Sequence, residues 1–268
     1  MPPLNNLTTL GKYDTTINII GGISDCELIY SAIDVFFESG NAQRDLATIR
    51  NELNLRTQRS KVRVELAVRR SFLEFYNLDH QELIRAIFKQ HLPLSERALV
   101  LFWQFALNNR LFREISLHVY IKAYSSGRSG LTKDDIAAYI KESVSLHKAV
   151  KLTWSESTIN TLSSKYLNIM TKLNFVEGKR IKSFKSIRPN TESLCLFLYL
   201  AKLYDAGSHN ILTNELLPLS FMPNDDLKER LKKLSMKGYF NMDFNGVALN
   251  IELTHSYKGI CDVLYKQP

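Results

Sequence analysis

Asn245-Gly246 separates two runs in which apolar residues fall on alternate positions: 240, 242 and 244 before it, then 247, 249, 251 and 253 after it. A period of two is that of a strand, and Asn-Gly readily takes the positive φ angles of a tight turn. "YFNMDFNGVALNIEL" is therefore expected to fold as a β-hairpin. The segment before it, "NDDLKERLKKLSMKG", has the other period. Leu227, Leu231 and Leu234 make one helical stripe, Asn224 stands at the cap position and Gly238 ends the run. A helix leading into a hairpin is the ending of a winged-helix unit.

The same order occurs earlier in the chain. Thr153 and Glu156 fit a capping box. Ile159, Leu162, Tyr166, Ile169 and Leu173 follow as an apolar stripe, with Thr161, Ser164, Lys165, Asn168 and Lys172 on the other side. Next comes "EGKRIKSFKSIRP", in which Lys179, Arg180, Lys182, Lys185 and Arg188 interleave with Ile181, Phe184 and Ile187. A short hairpin turning at Glu177-Gly178 is expected, anchored by these apolar residues. Their spacing of three departs from the alternation of a regular strand.

Residues 1–150 read as helix. Ser24 with Glu27 and Thr132 with Asp135 have capping-box spacing, Gly21-Gly22 reads as a turn, and Gly40 reads as a helix stop. "TQRSKVRVELAVRRSFLEFY" carries two apolar rows, Val62–Leu66–Leu73 and Val64–Val68–Phe72–Phe75, so a largely buried helix is expected. "SERALVLFWQFALNNRLFREISLHVYIKAY" continues the helical series, with Trp103 as a core residue. The expected fold class is mainly α. A multi-helix bundle over 1–150 is followed by two winged-helix-like units with short β-hairpins, at 151–190 and 191–268.

Charge distinguishes these two units. The whole chain is basic, at +8. Residues 151–190 hold eight bases against two acids, whereas 191–268 hold eight against nine. Residues 41–75 hold eight bases against four acids, among them Arg56, Arg59, Lys61 and Arg63 at the front of a helix. Cations spaced along a helix and a hairpin can follow a phosphate backbone, with affinity gained from counterion release. The expected nucleic-acid contacts are thus Lys165, Asn168 and Lys172 on the helix and Lys179, Arg180, Lys182, Lys185 and Arg188 along the hairpin. Arg56, Arg59, Lys61 and Arg63 extend this footprint if the fold brings them to the same side. The same cations also suit docking of an acidic protein, or RNA. An RNA site calls for exposed aromatics, and Phe175 and Phe184 read as anchors instead.

Several classes lack a signature. The six histidines show no HExxH spacing, and there is no Walker A loop or GxSxG elbow. Asp134-Asp135 reads as a complement to a helix dipole rather than a metal pair. Cys26, Cys195 and Cys261 are odd in number and far apart, which suggests neither a disulfide framework nor a zinc ribbon. No enzymatic activity, metal or cofactor is expected. The first residues lack the pattern of an export signal, and no apolar run approaches the roughly 20 residues of a membrane span. A cytoplasmic protein without membrane partners is the expectation.

Four stretches together resemble one family: "INIIGGISDCELIYSAIDVF", "NELNLRTQRSKVRVELAVRR", "VLFWQFALNNRLFREISLHVYIKAY" and "LTWSESTINTLSSKYLNIMTKLNFVEGKRI". In order and spacing, over about residues 15–188, they are similar to the BrxA proteins of BREX bacteriophage-exclusion systems. The resemblance implies a helical body similar to the antitermination factor NusB, binding to double-stranded DNA, work alongside other BREX proteins, and no catalysis. Residues 191–268 go beyond the shorter members of that family.

Overall fold

The computed structural model describes residues 13–24, 26–39, 57–90, 92–146, 154–205, 207 and 209–265. Gly40, Arg56 and Thr153 lie outside these described residues. Within them the protein is mainly helical, with small antiparallel sheets. Contact density divides the chain into two units. One comprises Met1–Glu74 with Gln104–Ser186, the other Phe75–Trp103 with Ile187–Pro268.

The first unit begins with α1 (Thr16–Ile20), α2 (Glu27–Ser39) and α3 (Gln58–Phe72). Thr57 caps α3, its hydroxyl accepting the Ser60 N–H at 3.2 Å. Only one side of α3 is core: Ala67, Val68 and Phe72 are buried, whereas Leu66 is 41% exposed. The expectation of a largely buried helix is corrected on this point. The chain passes through α4 (Leu78–Phe88) and into α5 (Leu94–Asn108), re-entering the first unit at Gln104. The Gln104 and Asn108 side-chain amides then donate to the Phe72, Ser71 and Glu74 carbonyls at 3.0–3.3 Å. They satisfy acceptors that the end of α3 leaves open.

Asn109 interrupts the helical series. Its side chain caps α6 (Arg110–Ile115), accepting the Phe112 N–H at 2.8 Å. From α6 the chain continues through a π-helical turn (Ser116–Ile121) into α7 (Lys122–Ser125). β1 (Gly130–Leu131), α8 (Lys133–Leu146), α9 (Glu156–Lys172), β2 (Val176–Glu177) and β3 (Lys182–Phe184) complete the unit. The three strands form one antiparallel sheet in the order β1-β3-β2, with Gly130 opposite Ser183 and Val176 opposite Phe184. A row of aromatic contacts, Phe72–Phe105–Phe112–Tyr166, runs through the core, with ring centroids 4.3–5.4 Å apart.

α1 meets α9 at a point with no room for a side chain. A Cβ on Gly21 would lie 2.5 Å from the Lys165 carbonyl oxygen and 2.7 Å from its Cβ. The Gly21-Gly22 pair is thus more than a turn, because it lets two backbones touch. The entry to α1 is tied down as well. Asp14 accepts both the Thr16 N–H and the Asn109 amide at 2.9 Å.

The second unit is built around α10 (Thr191–Tyr204), which is buried over nearly its whole circumference. Trp103 packs on Phe197 at 5.2 Å and its indole N–H donates to the Leu219 carbonyl at 2.9 Å, a core role as expected. α11 (Asn224–Met236) leads into β4 (Phe240–Phe244) and β5 (Leu249–Leu253), and α12 (Gly259–Tyr265) follows. The hairpin forms, with Gly246 at φ +94°, but Phe244 pairs with Leu249, so residues 245–248 make the turn and Val247, 84% exposed, precedes the second strand instead of starting it. The residue flanking α11 at its start is Pro223, not Asn224, and Pro223 makes no side-chain capping bond. Burial pushes the Cys261 thiol up to about 12 and raises that of Cys195 as well. Both are therefore protonated and inert at neutral pH.

Two outcomes follow from this packing. Gly21→Ala forces α1 and α9 apart and should cost about 1–3 kcal/mol in urea denaturation. In the native protein a thiol reagent should label the half-buried Cys26 while sparing Cys195 and Cys261, which become reactive only on unfolding.

Candidate nucleic-acid interface

α9 starts two residues later than the Thr153 capping box implies. Ser155 is its cap, accepting the Thr158 N–H at 3.3 Å. The expected stripe is buried: Ile159, Leu162, Tyr166, Ile169 and Leu173 face the core, and the Tyr166 hydroxyl pairs with Ser116 at 3.0 Å. On the other side Thr161 and Asn168 are exposed, with Ser164 and Lys165 half-buried. The Thr161 and Ser164 hydroxyls donate back to the Ser157 and Asn160 carbonyls, at 2.8 and 3.0 Å. They therefore offer only acceptor lone pairs outward. The Asn168 amide has no partner among the described residues.

Asn174, at φ +62°, ends the helix and turns the chain into the β2–β3 hairpin. The hairpin is held to the π-turn rod by aromatic contacts. Tyr120 donates to the Phe175 carbonyl at 3.2 Å, and Phe184 lies edge-on to Tyr120 and Tyr124 at 5.2 and 5.5 Å. The connecting loop depends on Gly178, whose φ is +96° and whose position leaves no space for a Cβ, only 2.6 Å from the Ile181 carbonyl oxygen. Phe175 and Phe184 are anchors, as expected. Ile181 is not, being 60% exposed at the tip of the loop.

The start of α8, the outer face of α9 and this loop surround one cleft of about 750 Å³. Thr132, Lys133 and Asp134 line it from α8, and Ser164, Leu167 and Asn168 from α9. Lys179, Arg180, Ile181 and Lys182 line it from the loop. Lys179 and Arg180 are exposed and have no ion-pair partner among the described residues. Lys182 donates to the Gly178 carbonyl at 2.7 Å. Lys185 is held by Asn174 at 2.6 Å and lies 3.4 Å from Glu177.

Other predicted residues lie elsewhere. The Lys172 ammonium donates to the Gly21 carbonyl at 3.0 Å and also to that of Ile23, which fastens α9 to the end of α1. Lys165 is half-buried, its ammonium beside Gly22. Arg59, Lys61 and Arg63 stand on α3, which packs on α1 and α2, and they do not line the cleft. Arg188 is exposed and belongs to the second unit. Arg56 lies outside the described residues. Lys133 and Thr132 also line the cleft, and the sequence carries no signal of that role. The Thr132–Asp135 spacing marks a helix start, but nothing local ties that start to residues some fifty positions later.

The α8 capping box is reciprocal. Asp135 accepts the Thr132 N–H and hydroxyl, both at 2.7 Å, while the Thr132 hydroxyl accepts the Asp135 N–H at 3.3 Å. Burial raises the Asp135 carboxyl, but the Thr132 bonds and the Arg128 guanidinium outweigh this and hold it below its ordinary value. A lowered folded value means that the stabilisation is complete above the unfolded carboxyl's pKa, about 3.9. It is lost as pH falls through the lower folded value. Asp135→Asn should cost about 1 kcal/mol at neutral pH, and in urea titrations its gap to the parent protein should close under acid conditions.

Among the described residues no three His, Cys, Asp or Glu side chains gather as metal ligands, and no helix is long and apolar enough to cross a membrane. Comparison with curated proteins and with solved structures gives no match. The family profile described as BrxA matches residues 36–198, from within α2 to within α10. That span covers α3, the aromatic core, and every element lining the cleft. The chain belongs to the BrxA family.

Proposed function

We propose that the protein is a non-enzymatic, double-stranded-DNA-binding component of a BREX bacteriophage-exclusion system. Family membership suggests the BREX setting, and BrxA is not a known enzyme family. The observation that carries DNA binding is the convergence on one cleft of Asn168, Lys133, Lys179, Arg180 and Lys182. The topology of the unit supports the same reading. We read the succession of helical rod, β1, α8, α9 and β2–β3 hairpin, with its sheet order β1-β3-β2, as the plan of a winged helix. In that reading α9 enters the major groove and the loop at 178–181 lies along the adjacent backbone.

The roles then divide by chemistry. Lys179 and Arg180, exposed and without an ion-pair partner among the described residues, contact phosphates, and Lys133 at the start of α8 contacts another. Asn168 faces base edges, where its amide can both donate and accept. Lys182 and Lys185 add positive potential from fixed positions. Lys172 has a structural role, and Arg59, Lys61, Arg63 and Arg188 are peripheral. Asp134 lies in the same cleft and repels phosphate from its own side, which biases the backbone's path toward the loop. Delivery of bound DNA to other BREX proteins completes the reading.

The test is fluorescence anisotropy with a ~30-bp duplex over a salt series. Each lost phosphate contact should flatten the slope of log affinity against log salt by roughly 0.9. Lys179→Ala with Arg180→Ala should flatten it by about twice that. Lys172→Met should leave the slope unchanged and reduce stability in urea. Equal slopes for the Lys179/Arg180 variant and the parent would assign the cleft to an acidic protein instead, with the exposed Ile181 as its apolar contact.

A further inference from the structure

The second unit carries a surface that DNA binding leaves unused. On α11, Leu227, Leu231 and Leu234 are buried. On the hairpin the inward face begins with Phe240, Leu249 and Ile251, also buried. The strand period places Met242 and Phe244 on the same face as Phe240, but the core does not reach them. Met242 is half-buried and Phe244 is 38% exposed. Across from them, at the end of α11, Met236 is 80% exposed. Together they floor a groove of about 540 Å³ between the helix and the hairpin.

The electrostatics of the groove have one sign. Its single acid, Glu229, is paired with Lys233 at 2.9 Å, which lowers the Glu229 carboxyl. Lys228 lies over the Phe244 ring, 4.1 Å from its centroid. Neither Lys228 nor Lys232 has an ion-pair partner among the described residues. The groove thus offers an apolar lining of two methionines and a phenylalanine, flanked by two ammonium groups that have no ion-pair partner among the described residues.

We infer that this groove docks an acidic amphipathic helix from a partner protein. Apolar residues at helical spacing fill the floor against Met236, Met242 and Phe244, and carboxylates beside them meet Lys228 and Lys232. Methionine side chains adapt to the shape of whatever enters. Nucleic acid is the poorer occupant, since residues 191–268 hold nine acids against eight bases and the floor is apolar. The inference is independent of the DNA-binding reading, because no residue of the groove lines the cleft.

The test is selection with the full chain from a display library of ~16-residue helical peptides, followed by titration of the synthesised winners. Enriched peptides should be net acidic, with apolar residues three or four apart. Met236→Lys changes a side chain already in solvent, so it should fold normally by circular dichroism and weaken binding about tenfold. Lys228→Glu with Lys232→Glu should shift selection toward basic peptides. The inference is overturned if nothing is enriched, if the winners are neutral or basic, or if they bind Met236→Lys as well as the parent. A concentration-dependent dimer in sedimentation that Met236→Lys abolishes would also overturn it, by assigning the groove to a second copy of the chain.

Discussion

The contact between Gly21 and the backbone of Lys165 governs the first unit. It leaves no space for a methyl group, so α9 can lie against α1 at only one depth and one rotation. Lys172 then secures the approach by donating to the carbonyls at 21 and 23. With α9 held on this side and Tyr166 buried on the other, its polar face is left pointing toward the loop. The candidate site is thus a by-product of how one helix is buried. Its orientation is set by residues that never touch a ligand.

Charge in this unit is divided between holding and reaching. Lys172, Lys182 and Lys185 each donate to the protein's own oxygens, at the helix end, across the loop and beside Asn174. The first holds α9 on α1, while the bonds of Lys182 and Lys185 hold the hairpin and its loop, and so reduce the ordering that binding there would require. Lys179 and Arg180, at the tip, are exposed and have no ion-pair partner among the described residues. A count of positive residues does not separate these two groups, although they sit within a few positions of each other.

Much of this was readable in advance where the signal is local. Asn245-Gly246 announced its hairpin because the turn and both alternating runs are contiguous. Thr132 with Asp135 announced a helix start for the same reason. The buried stripe of α9 followed from helical spacing alone. Contacts between distant segments were not readable. Lys172 shows no sign in its neighbourhood that its ammonium will cap carbonyls some 150 residues earlier. Ile181 has the composition of an anchor, yet the strand ends before it, at Glu177, and resumes after it, at Lys182, leaving it at an exposed tip. Lys133 joined the cleft only because β1 pairs with β3 and carries the start of α8 to the hairpin. The family resemblance ran from residue 15, whereas the profile match begins at 36 and extends to 198.

The π turn at Ser116–Ile121 has a consequence for how this chain can change in length. Such a turn holds one residue more than an α-helix would over the same rise. Tyr120 sits within it and Tyr124 just beyond, and both reach the hairpin through Phe184. Excising a single residue there would let the rod close into ordinary α-helix, and because the turn already holds one residue in excess, the downstream register would stay nearly unchanged. Tyr124 would go on facing the hairpin, and the loop cations would keep their support. An excision elsewhere along the rod, with no spare residue to absorb it, would instead swing everything downstream by about 100°. The π turn is therefore a place where the rod can lose a residue without turning its tyrosines away.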